Sequence, residues 1–116
     1  YPQLAPSMHI PTPSRPKWGM AYVYMLRCSD GSYYVGSTVN LHQRFEQHMT
    51  GKGAIYTRRR RPVELVFAAE FESPADAFAM EKQVQGWSRA KREALIVGDF
   101  NEISRLARNS RNRAVD

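Results

Sequence analysis

The sequence predicts an α+β fold: a small three-stranded antiparallel sheet flanked by helices, in the order β-β-α-β-α-α. Three observations carry that expectation. Two short β-rich, aromatic runs stand on either side of an Asp-Gly turn signal, the pattern of a hairpin. The later apolar segments are bracketed by residues that start and stop helices. A third β-rich run lies between the helical segments, so sheet and helices can bury each other's apolar faces.

The first strand is Ala21–Arg27 (AYVYMLR), where alternation puts Tyr22, Tyr24 and Leu26 on one face. Asp30-Gly31 makes the turn, in a connection longer than two residues, and residues 33–37 (YYVGS) form the second strand. Asn40 with Gln43 resembles a capping box and opens a helix that Gly51 closes. Residues 52–62 (KGAIYTRRRRP) read as a basic loop, and residues 63–71 (VELVFAAEF) as the third strand. Ser73 followed by Pro74 is an N-cap with proline at the first helical position, starting a helix that reaches Gly86 or Trp87. Ser88 caps a further helix running to Val97 with Gly98 as its stop, and a short arginine-rich helical tail follows from Glu102. No internal repeat is visible.

At 116 residues the chain is one domain, and 42% hydrophobic with 24% charged residues is a globular profile. No stretch approaches the ~20 consecutive apolar residues of a membrane span. A single cysteine, Cys28, excludes an internal disulfide framework and a multi-cysteine zinc site, and leaves a reducing, cytoplasmic location as the expectation. Seventeen Lys and Arg against eleven acids give a net charge of +6, which favours a polyanionic partner, nucleic acid ahead of anionic lipid. Residues 1–19 hold five of the seven prolines and no acidic residue, so they read as a flexible leader, dispensable if Met20 is the natural start. The folded domain is expected over residues 20–100 and a basic tail over 101–116.

No P-loop, GxSxG, HExxH or dinucleotide fingerprint is present. What stands out are polar residues where a folded domain prefers apolar ones. In the helix from Leu41, the residues Leu41, Phe45 and Met49 define a buried stripe, with Arg44 and His48 beside it one turn apart. Such groups are costly there unless they line a cleft or find partners. Glu81 falls at the edge of the apolar face made by Ala77, Met80, Val84 and Trp87, a reasonable position for a hard-metal ligand. Tyr24 and Tyr34 lie on the two arms of the hairpin and can converge, whereas Tyr22 and Tyr33 fit packing roles. Cys28 fits a small buried hydrophobe and Asp30 a turn residue. Taken singly, Arg44 can snorkel to water, His48 can be a hydrogen-bonded boundary residue and Glu81 can pair with a lysine or arginine. Four consecutive arginines, Arg58, Arg59, Arg60 and Arg61, follow a GKGA segment containing Lys52 and point to phosphate contact, with Arg105, Arg108, Arg111 and Arg113 extending the charge.

Together these residues resemble the GIY-YIG nuclease family in its compact single-domain bacterial branch. Tyr22-Val23-Tyr24 stands at the first motif and Tyr34-Val35-Gly36 at the second. Arg44 to His48 (RFEQH) is similar to the family's arginine helix, GKGAIYTRRRRPVELVF to its loop and third strand, and Glu81 to its metal-binding glutamate. Tyr22 replaces the first motif's glycine, and the family's late asparagine has no clear counterpart, Asn101 being the nearest.

The resemblance implies a divalent-metal-dependent endonuclease hydrolysing phosphodiester bonds of DNA. It assigns one Mg²⁺ or Mn²⁺ ion to Glu81 and a non-bridging phosphate oxygen to Arg44. Tyr24 is then the first choice as general base, with Tyr34, His48 and Tyr56 positioning water and phosphate. Arg44 and His48 are the candidates for lowering a tyrosine pKa from its ordinary ~10. Lys52 and the arginine run are the nucleic-acid contacts. Exposed aromatics in a basic groove lean toward single-stranded DNA over duplex, and DNA over RNA. The expected form is a monomer acting at the nucleoid and not at a membrane. The alternative is a catalytically silent nucleic-acid-binding module, which needs the arginines but not Glu81; a basic surface docking on a protein or anionic membrane is the third reading.

Overall fold

Ala21–Arg27 (β1) carries large side chains in both parities, and the protein buries them on both sides. β1 is the central strand: Tyr33–Thr38 (β2) and Glu64–Phe71 (β3) pair with it antiparallel, in the order β2-β1-β3. Ala21, Val23 and Met25 join Tyr33, Val35, Phe67 and Ala69 in one core. Tyr22, Tyr24 and Leu26 join Leu65 and Ala68 in a second.

Each core is closed by helices whose ends are set by local chemistry. Over the second core lie Leu41–Thr50 (α1) and the single turn Ile55–Arg58 (α2). Asn40 caps α1 by accepting from the Gln43 backbone N–H, and Gly51, in the left-handed region at φ 82°, ends it. The first core is covered by Pro74–Gln85 (α3), Arg89–Val97 (α4) and Phe100–Val115 (α5), through Ala77, Val84 and Leu95 and, at its margin, Phe100 and Ile103. Ser73 and Ser88 accept from the Asp76 and Lys91 N–H groups as N-caps, and Gly98 ends α4. Burying side chains the size of Val84 and Leu95 stabilises by ~1.5–3 kcal/mol each. In this computed structural model the backbone is described over residues 19–115 and the side chains over residues 19–109. The expected leader, Gly19 apart, and the side chains of Arg111 and Arg113 lie outside the described residues.

The α+β architecture is as the sequence predicts, with three refinements. The segment expected to be a loop holds α2, one helical turn closed by the Arg58 N–H donating to the Ala54 carbonyl. The expected short tail is the sixteen-residue α5, begun where Asp99 accepts from the Glu102 N–H. Met49, assigned to the buried stripe of α1, is 43% exposed, while His48 is fully buried below Leu41. At 3.6 residues per turn, His48 is seven residues on and returns almost beneath Leu41, whereas Met49 has rotated about 80° away. No helix among the described residues is long and apolar enough to cross a membrane.

Candidate active site

Tyr24 and Gly36 face each other across the β1–β2 ladder. The Tyr24 phenol lies flat against that glycine: a Cβ there would stand 2.5 Å from its oxygen. The second motif's glycine is therefore the space the first motif's tyrosine occupies. From this position the Tyr24 hydroxyl meets His48 Nε2 at 2.7 Å, and His48 Nδ1 meets the Thr57 hydroxyl at 2.8 Å. Thr57 donates its single hydroxyl proton to the Ala54 carbonyl at 3.0 Å. Thr57 must then accept from Nδ1–H, which leaves Nε2 as the acceptor for the Tyr24 O–H. The chain has one polarity, Tyr24 to His48 to Thr57 to Ala54. Gly53 keeps room for the imidazole, since a Cβ there would lie 2.5 Å from Nδ1.

Burial governs the electrostatics of this pair. Desolvation, with Arg44 adding to it, pushes His48 down to about 4. Desolvation also pushes Tyr24 up to about 12; the Arg44 hydrogen bond pulls the other way but loses, and the charges at Tyr34 and Glu81 add to the rise. This corrects two expectations. His48 is neutral and supplies no positive charge, and Tyr24 is not lowered below its ordinary value, because both rings are closed inside the sheet–α1 interface.

The depressed His48 pKa also sets a pH dependence. The unfolded chain protonates its histidine near ~6.5 and the folded chain does not until about 4. The unfolded state therefore binds more protons in that window, and stability falls with acid. Denaturant unfolding of the wild type should lose stability progressively from pH 6.5 to 4, and a His48→Gln variant should lose about one proton's worth of that slope. Equal slopes in the two proteins would show that His48 is charged in the fold.

Outward from this pair the aromatic side chains grow more exposed. Tyr34 packs 5.2 Å from the His48 ring and 6.4 Å from Tyr24, and Tyr56 stacks on Tyr34 at 6.1 Å. The Tyr56 hydroxyl donates to Ser32 in the hairpin turn, and the Arg60 guanidinium covers its ring at 3.8 Å. Arg44, half-buried on α1, donates to Gln47 Oε1 at 3.0 Å. Desolvation opposes its charge, but its hydrogen bond to Tyr24 and the fields of Tyr24 and Tyr34 hold its pKa above the usual arginine value. The fold thus brings Tyr24, Tyr34, Arg44, His48 and Tyr56 into one cluster.

Glu81 approaches from the opposite face of the sheet. Its Oε1 accepts from the Ser37 hydroxyl on β2, and its Oε2 accepts from Gln85 Nε2, which also donates to the Val35 carbonyl. Among the described residues no cation pairs with it, so the ordinary boundary-glutamate arrangement is not the one adopted. Its carboxylate charge is left uncompensated at the edge of β2. Among the described residues no cluster of three or more His, Cys, Asp or Glu side chains exists. A lone carboxylate of this kind suits Mg²⁺ or Mn²⁺, which take one or two protein carboxylates and complete their shell with water and phosphate oxygens.

The structure divides the arginine run. Arg60 bonds to Asp30 at 3.0 Å and to the Tyr56 carbonyl, and its own carbonyl accepts from the Ser29 N–H, tying the segment to the hairpin turn. Arg61 donates to the Met49 and Arg58 carbonyls and lies over Gly51 at the end of α1. Arg58, Arg59 and Lys52 are exposed, and among the described residues the side chains of both arginines lack a hydrogen-bond or ion-pair partner. Replacing Arg58 and Arg59 together by alanine should flatten the log–log salt dependence of DNA binding by ~0.7 unit per lost contact on single strands. Arg60→Ala should instead lower the melting temperature. An unaltered salt slope in the double variant would mean the two arginines are merely solvated.

Sequence reasoning missed four residues that shape this site. Gln85 sits one turn after Glu81, an i,i+4 signal legible in principle. Ser37 lies three residues beyond Tyr34, and Gly53 and Thr57 lie in a stretch read as loop, with nothing in the sequence to couple them to His48.

The family model described as the GIY-YIG catalytic domain matches residues 20–94. Over 78 residues the chain is 44% identical to a UPF0213 protein of Natronomonas pharaonis, covering 67% of this chain and 92% of that one. Over 89 residues it is 45% identical to a UPF0213 protein of Halalkalibacterium halodurans, covering 74% and 95%. A solution NMR structure of an E. faecalis protein, 30% identical, aligns with a TM-score of 0.51 over 72% of this chain and 88% of that chain. Both tyrosine motifs, the arginine helix and the glutamate helix fall inside the matched span, and the chain belongs to the GIY-YIG family, a nuclease superfamily.

Proposed function

We propose that the protein is a divalent-metal-dependent endonuclease that hydrolyses phosphodiester bonds of DNA and prefers single strands. The observation that supports this most is the one-directional hydrogen-bond chain from Tyr24 through His48, beside the Arg44 guanidinium and on the strand paired with the one that carries the Glu81 contact. In this reading Arg44 donates to a non-bridging oxygen and meets charge that develops as the phosphorus is attacked. The Tyr24 oxygen takes a proton from the attacking water as its own proton passes to His48 Nε2, so the ring pair acts as the base. Because both pKa shifts oppose a phenolate–imidazolium pair, the two transfers are concerted with attack. Tyr34 and Tyr56 orient water and phosphate. Glu81, with Ser37 and Gln85 fixing its oxygens, would hold one Mg²⁺ or Mn²⁺, whose chemistry when bound is to neutralise the phosphate and stabilise the leaving oxygen. Lys52, Arg58 and Arg59 hold the flanking backbone. A monomer in the reducing cytoplasm, working at the nucleoid, completes the reading.

The same pKa shifts favour the second reading, a silent nucleic-acid-binding module, because they keep Tyr24 protonated. Labelled single-stranded, duplex and flapped DNA, and RNA, incubated with and without Mg²⁺ or Mn²⁺, separate the two. The nuclease gives metal-dependent cleavage, fastest on single-stranded DNA and abolished by chelation. Binding without cleavage of any substrate leaves the silent module.

A further inference from the structure

Beside Glu81 the surface holds a cavity of about 250 Å³ that the chemistry above does not use. Phe78, Pro74 and Ala77 of the first turns of α3 form one wall, and Ser37, Thr38 and Val39 at the end of β2 form the other. Its two large apolar side chains are open to solvent, Phe78 at 53% and Val39 at 57%. Two large apolar side chains exposed together around one concavity form a small apolar patch, a surface suited to contact with a ligand. Three features say which. Phe78 is one helical turn before Glu81, and Ser37 both lines the cavity and donates to the Glu81 carboxylate, so cavity and carboxylate share a wall. The Lys82 ammonium stands 4.9 Å over the Phe78 ring, placing a phosphate-binding charge beside an aromatic surface. Apart from the hydroxyls of Ser37 and Thr38, the lining is apolar, which suits the face of a planar heterocycle whose edge needs a few hydrogen bonds. The volume falls below the ~300 Å³ at which drug-sized sites begin, room for one ring system.

We infer that this cavity receives one unpaired nucleobase of the strand being cut, stacked on Phe78, with Lys82 on the adjoining phosphate. The inference rests on the nuclease reading for its substrate and adds a reason for single-strand preference: a base held in a duplex cannot enter. Stacking of one base on an aromatic is sequence-tolerant, so the cavity selects unpaired strands without selecting sequence.

The test compares binding of a fluorescein-labelled oligodeoxyadenylate with binding of an abasic deoxyribose-phosphate oligomer of equal length, by anisotropy. Cleavage of the oligodeoxyadenylate with Mg²⁺ is measured in parallel. The wild type should bind the base-bearing strand more tightly. Phe78→Ala, harmless to folding at so exposed a position, should shrink that ratio by roughly 5- to 150-fold. Phe78→Trp should restore it, and Lys82→Ala should weaken both ligands alike. A ratio unchanged by Phe78→Ala overturns the inference, as does an unchanged ratio with loss of concentration-dependent self-association, which gives the cavity to a second copy. Base-dependent binding through Phe78 without any cleavage sinks the nuclease reading and keeps the cavity. Cleavage indifferent to Phe78, with an unchanged ratio, does the reverse.

Discussion

Glu81→Ala should abolish cleavage and leave DNA binding nearly intact. The carboxylate sits at the edge of β2 with its oxygens fixed by Ser37 and Gln85 and its charge uncompensated among the described residues. Removing it takes away the protein's anchor for a metal whose effect on the transition state is several kcal/mol, so the single-turnover rate should fall by about 10³-fold or more. Stability should change little, because the side chain is only partly buried and lies outside the apolar core that α3 packs on. The measurement is single-turnover cleavage across a Mg²⁺ titration, paired with binding at high chelator. Full metal-dependent turnover by the variant would sink the assignment. It would also be hard to reassign to the start of α5, where Asp99 accepts from the Glu102 N–H and Glu102 pairs with Arg105.

Tyr24→Phe should lower the single-turnover rate by ~10²–10⁴-fold, the usual contribution of a general base. The ring stays, so the packing against Gly36 stays. What disappears is the O–H that His48 Nε2 accepts, and a buried acceptor left without its partner costs about 1–3 kcal/mol of stability. For a domain of this size that is a fall of ~4–8 °C in Tm per kcal/mol, so rates are to be compared where the variant is fully folded. Tyr34→Phe should cost less, since Tyr34 stands outside the chain of defined polarity. His48→Ala should cost about as much as Tyr24→Phe, because the tyrosine oxygen takes the water's proton only as its own passes to Nε2. The pH–rate profiles of the three variants at saturating metal decide among them. A near-normal Tyr24→Phe beside a dead His48→Ala would transfer the base to the histidine; a dead Tyr34→Phe would transfer it to the partly exposed tyrosine.

Much of this was legible from local signals. Asn40, Gly51, Ser73, Ser88 and Gly98 each end or begin a helix where their chemistry says they should. The alternation of Tyr22, Tyr24 and Leu26 correctly assigned them to one face. Alternation did not reveal that the other face of β1 is equally buried, because Val23 and Met25 read the same whether one layer or two covers the sheet. Periodicity flagged Arg44 and His48 as misplaced polar residues, yet put Met49 inside and so underrated how deep the histidine lies. The partner that satisfies His48 Nδ1, Thr57, was not legible at all. Thr57 reaches it only because residues 54–58 form a helical turn against α1, and four consecutive arginines mask that turn as a solvated loop. The same run disguised Arg60 and Arg61, whose partners Asp30 and Met49 lie 30 and 12 residues away in sequence and are brought near only by tertiary folding.

The two halves of the site sit on opposite faces of one edge strand. Along β2, Tyr34 and Gly36 turn toward α1 and the Tyr24–His48 pair, while Val35 and Ser37 turn toward α3 and Glu81. Successive side chains of a strand point to opposite faces at a fixed rise of ~3.3 Å per residue. The separation between proton acceptor and carboxylate is therefore set by the single step from Gly36, against which Tyr24 lies, to Ser37, which holds Glu81. β2 serves as a ruler, and the pleat of the peptide chain fixes the spacing that two helices packed on different layers could not fix between themselves.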